Sequence, residues 1–242
     1  MTRRDLLIRY KQAIMGFGWA IFMPVMNAAI FTVVFTRVSR LELDVPYPIY
    51  VYAGPLPWNF FASSLKFSMT SLTSNSSLVT KVYFPREVLP FSAVLVALVD
   101  FLVASSVLAA LMIYYRFEVT GTFLFLPVIV AVQLMFTGGM AMALAMGNLF
   151  LRDVKYLSEV ILTVWMFATS VVYPTDRIGG TLGLLLKINP RTPIIDAYRS
   201  VLLRNELPAV GPFLFATAAA LVVLLVSWMA FPRAEFEFAE NI

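Results

Sequence analysis

Uncharged apolar runs of membrane-crossing length recur along this chain, separated by short clusters that hold most of its charges. Residues 12–36, 45–65, 119–151 and 207–232 contain no Asp, Glu, Lys or Arg; residues 88–115 contain only Asp100, and a shorter run, 156–175, only Glu159. A helix needs about 20 mostly apolar residues, at about 1.5 Å each, to cross roughly 30 Å of hydrocarbon. The pattern predicts an all-α polytopic membrane protein with six transmembrane helices, near residues 19–38, 49–75, 89–114, 123–149, 156–174 and 211–231.

Four segments depart from plain spanning helices. Before the first span, Arg4, Asp5, Lys11 and Gln12 fall opposite Leu7, Tyr10, Ile14 and Phe17 at helical pitch, so residues 1–18 read as a cationic helix in the membrane interface. Its Arg3, Arg4, Arg9 and Lys11 serve either as an anchor or as a site for an anionic lipid headgroup. No A-x-A-like cleavage site follows, so the first span is expected to be retained. In the second span, Pro55 and Pro57 each remove a backbone donor beside Gly54, which predicts a kink or a fresh helix start. The nearby Tyr50, Tyr52 and Trp58, with Tyr173 farther along, suit an interfacial belt or a surface on which sugar rings stack at an exit.

Between spans 2 and 3, residues 76–88 mix exposed aromatics with charge in Lys81, Tyr83, Phe84, Pro85, Arg86 and Glu87. That is the anchor composition of a protein interface rather than of a mere connection. Between spans 5 and 6, residues 175–210 contain two short helical patterns, 181–188 and 193–204, around Asn189-Pro190-Arg191-Thr192. Thr192 is the expected N-cap of the second, whose apolar stripe is Ile194, Ile195, Tyr198, Val201 and Leu202, with Asp196 and Arg199 off the stripe. Too structured for a simple loop and too short to span twice, the excursion fits a re-entrant or lid-like pair.

Composition agrees with this outline: 60% of residues are hydrophobic and 13% charged, far from the balance of a soluble domain. No polar linker or repeat divides the chain, so residues 1–242 read as one transmembrane domain. The net charge of +4 is scattered between apolar runs, which excludes a nucleic-acid-binding face. With no Cys and no His, thiol or imidazole metal sites and His-dependent nucleophilic catalysis are ruled out. No G-x-x-x-x-G-K-[ST] motif is present, so nucleotide hydrolysis is not expected of this chain. With the amino terminus inside, nine Lys and Arg lie on inner segments, three in short outer loops and five, among them Arg191 and Arg199, in the long outer stretch; weighting the short loops places both termini in the cytoplasm. Lys66 and Asp100 fall deep in consecutive spans, where an unpaired charge costs at least about 2.5 to 3.5 kcal/mol, so an ion pair between them is expected, with separate pore-facing roles or snorkelling by Lys66 as the alternatives.

The succession Arg4-Asp5-Leu6, residues 54–61 (GPLPWNFF), 81–87 (KVYFPRE) and 150–156 (FLRDVKY), Asn189-Pro190, Ala197-Tyr198-Arg199 and 237–240 (EFAE) resembles the ABC exporter permeases for cell-surface polysaccharides, the O-antigen permeases foremost. The resemblance spans the whole chain and is most specific at 81–87. It implies a bacterial inner-membrane homodimer, with two copies of a separate ABC ATPase that carry the ATP and Mg and dock on residues 76–88. No cofactor or catalytic residue is implied for the chain itself. The implied cargo is a polysaccharide on undecaprenyl diphosphate, moved from cytoplasm to periplasm, with Arg3, Arg4, Arg9 and Lys11 near the diphosphate. Two protomers enclose a wider conduit than six spans alone. Helices 1 and 5, with Phe22, Asn27, Phe31, Thr163, Trp165, Phe167 and Ser170, are candidates to line it. A membrane-embedded glycosyl or lipid transferase and an ABC permease for a small molecule or drug are the alternatives.

Overall fold

The protein is described by a computed structural model over residues 46–76, 84–169 and 188–235, with the single positions 2, 18, 22, 25, 26, 29, 30, 78, 171, 183, 186 and 238. Among the described residues there are helices and turns and no strand. The helices are α1 (Tyr47–Ala53), α2 (Pro55–Met69), α3 (Val88–Tyr114), α4 (Leu126–Phe150), α5 (Val154–Phe167), α6 (Arg191–Arg199) and α7 (Val210–Glu235). A 3-10 turn, Gly121–Phe125, leads into α4, and a π-helical turn, Ser200–Arg204, continues α6.

Among the described residues, three stretches are long and apolar enough to cross a bilayer: Val88–Tyr114, Gly121–Phe150 and Val210–Glu235. They coincide with the expected third, fourth and sixth spans, and the 27 residues of α3 extend about 40 Å. The expected second span is two helices meeting at Gly54, because prolines at 55 and 57 cannot donate to the carbonyls four residues back. Of the expected fifth span, the described residues are helical to Phe167, in a helix that starts at Val154, and turn at Ala168 and Thr169. The interface helix at 1–18 and the first span at 19–38 lie outside the described residues, apart from helical Thr2, Gly18, Phe22, Val25, Met26, Ala29 and Ile30.

Side-chain bonds fix which helix ends lie together. Arg86, just before α3, bonds to Glu235 at the end of α7. Ser68 near the end of α2 donates to the Pro90 carbonyl on α3, and Asn148 near the end of α4 donates to the Met69 carbonyl. At the opposite end Asn205 donates to the Glu118 carbonyl and accepts from Thr120, which brings the approach to α7 beside the α3–α4 loop. Thus α2, α4 and α7 run toward the Arg86 end and α3 runs away from it, the alternation expected of consecutive crossings.

α2 packs against α3 and α4, and α7 lies along α4. Gly139 permits that last contact. A Cβ there would stand 2.7 Å from the Leu224 nitrogen and 2.8 Å from its Cα, so only a glycine admits the α7 backbone. The outer faces are apolar: Leu95, Leu102 and Ile113 on α3 and Leu214, Val222, Leu225 and Trp228 on α7 are all exposed. In water such a surface would drive aggregation; in a bilayer it is the correct exterior.

The Gly139→Ala variant is expected to lose about 1 to 3 kcal/mol of stability through overpacking, read as a lower melting temperature in detergent. Gly211, whose Cβ position meets nothing within 4 Å, is the control. Gly211→Ala should hold or raise that temperature.

Candidate functional site: the polar ties of helix α2

The broken start of α2 gathers several deeply buried polar groups. The Pro57 carbonyl accepts a 2.6 Å hydrogen bond from Arg191 Nη2 and a 2.8 Å bond from Gln133 Nε2. Arg191 is fully buried, and its guanidinium lies 4.4 Å from the centroid of the Phe61 ring. Phe61 in turn stacks on Phe136 and takes the edge of Trp165. A desolvated cation over an aromatic face is held by about 2 kcal/mol, which helps offset the loss of water. The offset is incomplete, since Arg191 Nε and Nη1, Gln133 Oε1 and the Tyr198 hydroxyl find no hydrogen-bond partner among the described residues. Burial pulls the Arg191 pKa down to about 9, with Tyr198 opposing the fall, so the guanidinium is still charged at neutral pH.

Asn189 joins α5 to α6. Its Oδ1 accepts from the Arg191 backbone N–H at 3.0 Å and from Trp165 Nε1 at 3.1 Å. Its Nδ2 donates to the Ala168 carbonyl at 2.8 Å and to Thr169 Oγ1 at 2.9 Å. The helix therefore begins at Arg191 and not after Thr192: the expected cap, Thr192, lies inside the first turn, because Asn189 already satisfies a free amide there. The apolar stripe Ile194, Ile195, Tyr198, Val201 and Leu202 is buried as expected. Arg199, expected off the stripe, is buried too. Its Nη2 donates to the Val171 carbonyl at 2.9 Å and its guanidinium lies 5.0 Å from the Tyr50 ring centroid. Gly54 makes room for this, since a Cβ at the helix break would collide with the Val171 carbonyl and stand 2.9 Å from Arg199 Nη2.

The other residues singled out in the sequence fall as follows. Tyr52 is buried and donates to the Ala104 carbonyl at 3.0 Å; Trp58 is buried against Phe61; Tyr50 is half-buried. These three aromatics pack inside the protomer, while Tyr173 lies outside the described residues. Phe22, Thr163 and Phe167 are exposed, Trp165 is turned toward Phe61 and Asn189, and Asn27, Phe31 and Ser170 lie outside the described residues. Lys66 is exposed on α2, and Asp100 is half-buried on the adjoining α3. Phe84, Arg86 and Glu87 are half-buried and Pro85 exposed, whereas Lys81 and Tyr83, like Arg3, Arg4, Arg9 and Lys11, fall outside the described residues. Sequence reasoning counted Arg191 among the outer cations and passed over Gln133, although a lone Gln inside the uncharged run 119–151 marks a polar contact within the bundle.

With this geometry in view, likeness to known proteins becomes interpretable. The ABC-2 type transporter family matches residues 1–203. The chain belongs to the ABC-2 type transporter family. The O-antigen export system permease protein RfbA of Myxococcus xanthus is 30% identical over 244 aligned positions, covering 100% of this chain and 94% of that protein. A protein of the same name from Klebsiella pneumoniae is 28% identical, covering 99% of this chain and 92% of its own length. Both the Pro57–Gln133–Arg191 tie and the Asn189 junction fall inside the family match.

A buried cation with unpartnered nitrogens adds little to folding, and an apolar isostere is often neutral or stabilising. Arg191→Met is therefore expected to keep its melting temperature in detergent, or to raise it. A loss above about 3 kcal/mol would show instead that the charge holds the fold.

Proposed function

We propose that this chain is the membrane subunit of an ATP-driven exporter of O-antigen-type polysaccharide. Similarity to the export permeases over 99 to 100% of the chain carries this reading, since it includes the apolar helices and the inner and outer connections alike. In this account six helices cross the bacterial inner membrane with both termini in the cytoplasm. Two protomers enclose the conduit, and a separate ABC ATPase docks on residues 76–88 and supplies the work. The cargo is a glycan on undecaprenyl diphosphate, moved outward, with the cationic segment 1–18 at the inner mouth and residues 175–210 at the outer one.

The relative sidedness of the helix ends supports this arrangement. Residues 84–87 and Glu235 share one end, and Glu118, Thr120 and Asn205 share the other. The docking segment and the outer segment thus lie at opposite ends of α3. Arg191, held within the bundle by Pro57, links the outer segment to the start of α2, whose far end leads to residues 76–88. A shift of α2 along its axis would therefore be felt at both ends. The proposed ion pair of Lys66 and Asp100 would sit on the facing helices between them.

Deletion of the gene is expected to make lipid-linked glycan accumulate on the cytoplasmic face, and the purified chain to hydrolyse ATP only when joined by its ATPase. Accumulation of an unpolymerised lipid precursor would point to a transferase, and an unchanged glycan pool with altered drug or solute efflux to a small-molecule permease. For the ion pair, Lys66→Met and Asp100→Asn should each lower the yield of folded protein more than the double variant does. Additive losses would rule the pair out.

A further inference from the structure

Arg86 belongs to the segment expected to meet the ATPase, yet its guanidinium is engaged by the chain's own carboxyl-terminal end. Nη1 donates a 2.7 Å hydrogen bond to the Glu235 carbonyl, and Nε stands 3.4 Å from Glu235 Oε1. The guanidinium carbon lies 5.9 Å from the Phe238 ring centroid. Glu235 is in the last turn of α7, where carbonyls have no partner within the helix, so Arg86 also serves as a capping donor. Phe238 is fully buried and meets Phe231 edge-on at 5.3 Å and Phe150 at 6.2 Å. Phe84 packs against the same cluster, which includes Leu72, Leu89 and Leu149.

These contacts bring four chain regions to one point: the end of α2, the start of α3, the end of α4 and the end of α7. Both ionic side chains are partly exposed, so the Coulombic part is modest. The carbonyl bond and the ring contacts fix the position. Pro85 is exposed and stands on this fixed base.

We propose that Glu235 and Phe238 are positioning residues for the coupling segment, and that α7 moves with residues 84–87 as one body during the transport cycle. The proposal rests on the exporter reading, and it adds that the carboxyl-terminal end of α7 sets how ATP hydrolysis is converted into export. The contact is made by residues 149 apart in the chain, so neither local sequence nor the loop alone specifies it.

The test uses the complete complex of permease and ATPase in proteoliposomes, comparing the parent with Phe238→Ala, Phe238→Tyr and Glu235→Gln. Three quantities are read: ATPase retained on the permease, ATP hydrolysed, and glycan exported per ATP. In Phe238→Ala, which removes the ring contacts to Arg86, Phe231 and Phe150, the ATPase should stay bound and basal hydrolysis continue, while export per ATP falls about tenfold. Phe238→Tyr, which keeps the ring, should recover at least half of the loss, and Glu235→Gln, which keeps the backbone carbonyl that Arg86 bonds, should stay within about twofold of the parent. Parent-level export per ATP in Phe238→Ala, or a Phe238→Tyr variant no better than Phe238→Ala, overturns the proposal. If Phe238→Ala lowers the amount of folded complex, Phe238→Leu replaces it with the same readouts and the same opposing outcomes. A parent chain that binds no ABC ATPase overturns the exporter reading itself, which keeps the two failures apart.

Discussion

In hydrocarbon a backbone polar group has no water to turn to, so any break in a helix must be answered by protein. The break at Gly54 is the point on which the packing of α4, α5 and α6 around α2 depends. Pro55 and Pro57 remove two amide donors in succession, and the helix that restarts there offers the Pro57 carbonyl to two side chains from elsewhere in the chain. Arg191 brings α6 and Gln133 brings α4, so one carbonyl joins three helices. Asn189 then adds α5 through the Trp165 indole and the Ala168 carbonyl. Residues 189–199 are thereby folded into the bundle instead of lying over it.

That architecture explains why a fully buried arginine is present in a chain with 13% charged residues. A methionine of similar length would fill the space without desolvating a charge. The guanidinium is planar and can bond a carbonyl while lying on an aromatic face, which lysine does less well. The inner end of α2 is built differently, with Ser68, Asn148 and Asn75 closing on backbone carbonyls and an aromatic cluster behind them.

Much of the fold is legible in the sequence because lipid imposes a length rule. The uncharged runs mark α3, α4 and α7 nearly to the residue, and the two prolines mark the break between α1 and α2. The stripe on α6 was readable for the same reason, since burial follows helical spacing. The polar ties were not. Tyr52 and Trp58 carry the composition of an interfacial belt, yet neighbouring α3 and Phe61 enclose them, and nothing local distinguishes the two environments. Arg191 and Arg199 count as loop cations by position, and only the opposing Pro57 and Val171 carbonyls reveal them as interior groups. Arg86 reads as a docking charge until Glu235, far along the chain, is placed beside it.

On the proposed reading, α6 is an interior part of a protein whose docking loop lies on the opposite side of the membrane from Glu206. The chain contains no cysteine, so single introduced thiols report one position each. The measurement is labelling by a membrane-impermeant maleimide in spheroplasts, applied to Glu206→Cys, Pro85→Cys and Ile195→Cys; in the structure Glu206 and Pro85 are exposed, and Ile195 is fully buried. The account predicts that Glu206→Cys labels from outside, that Pro85→Cys labels only after the membrane is permeabilised, and that Ile195→Cys resists until the protein is denatured. Labelling of Ile195→Cys as fast as Glu206→Cys, or of Glu206→Cys and Pro85→Cys from the same side, would contradict it.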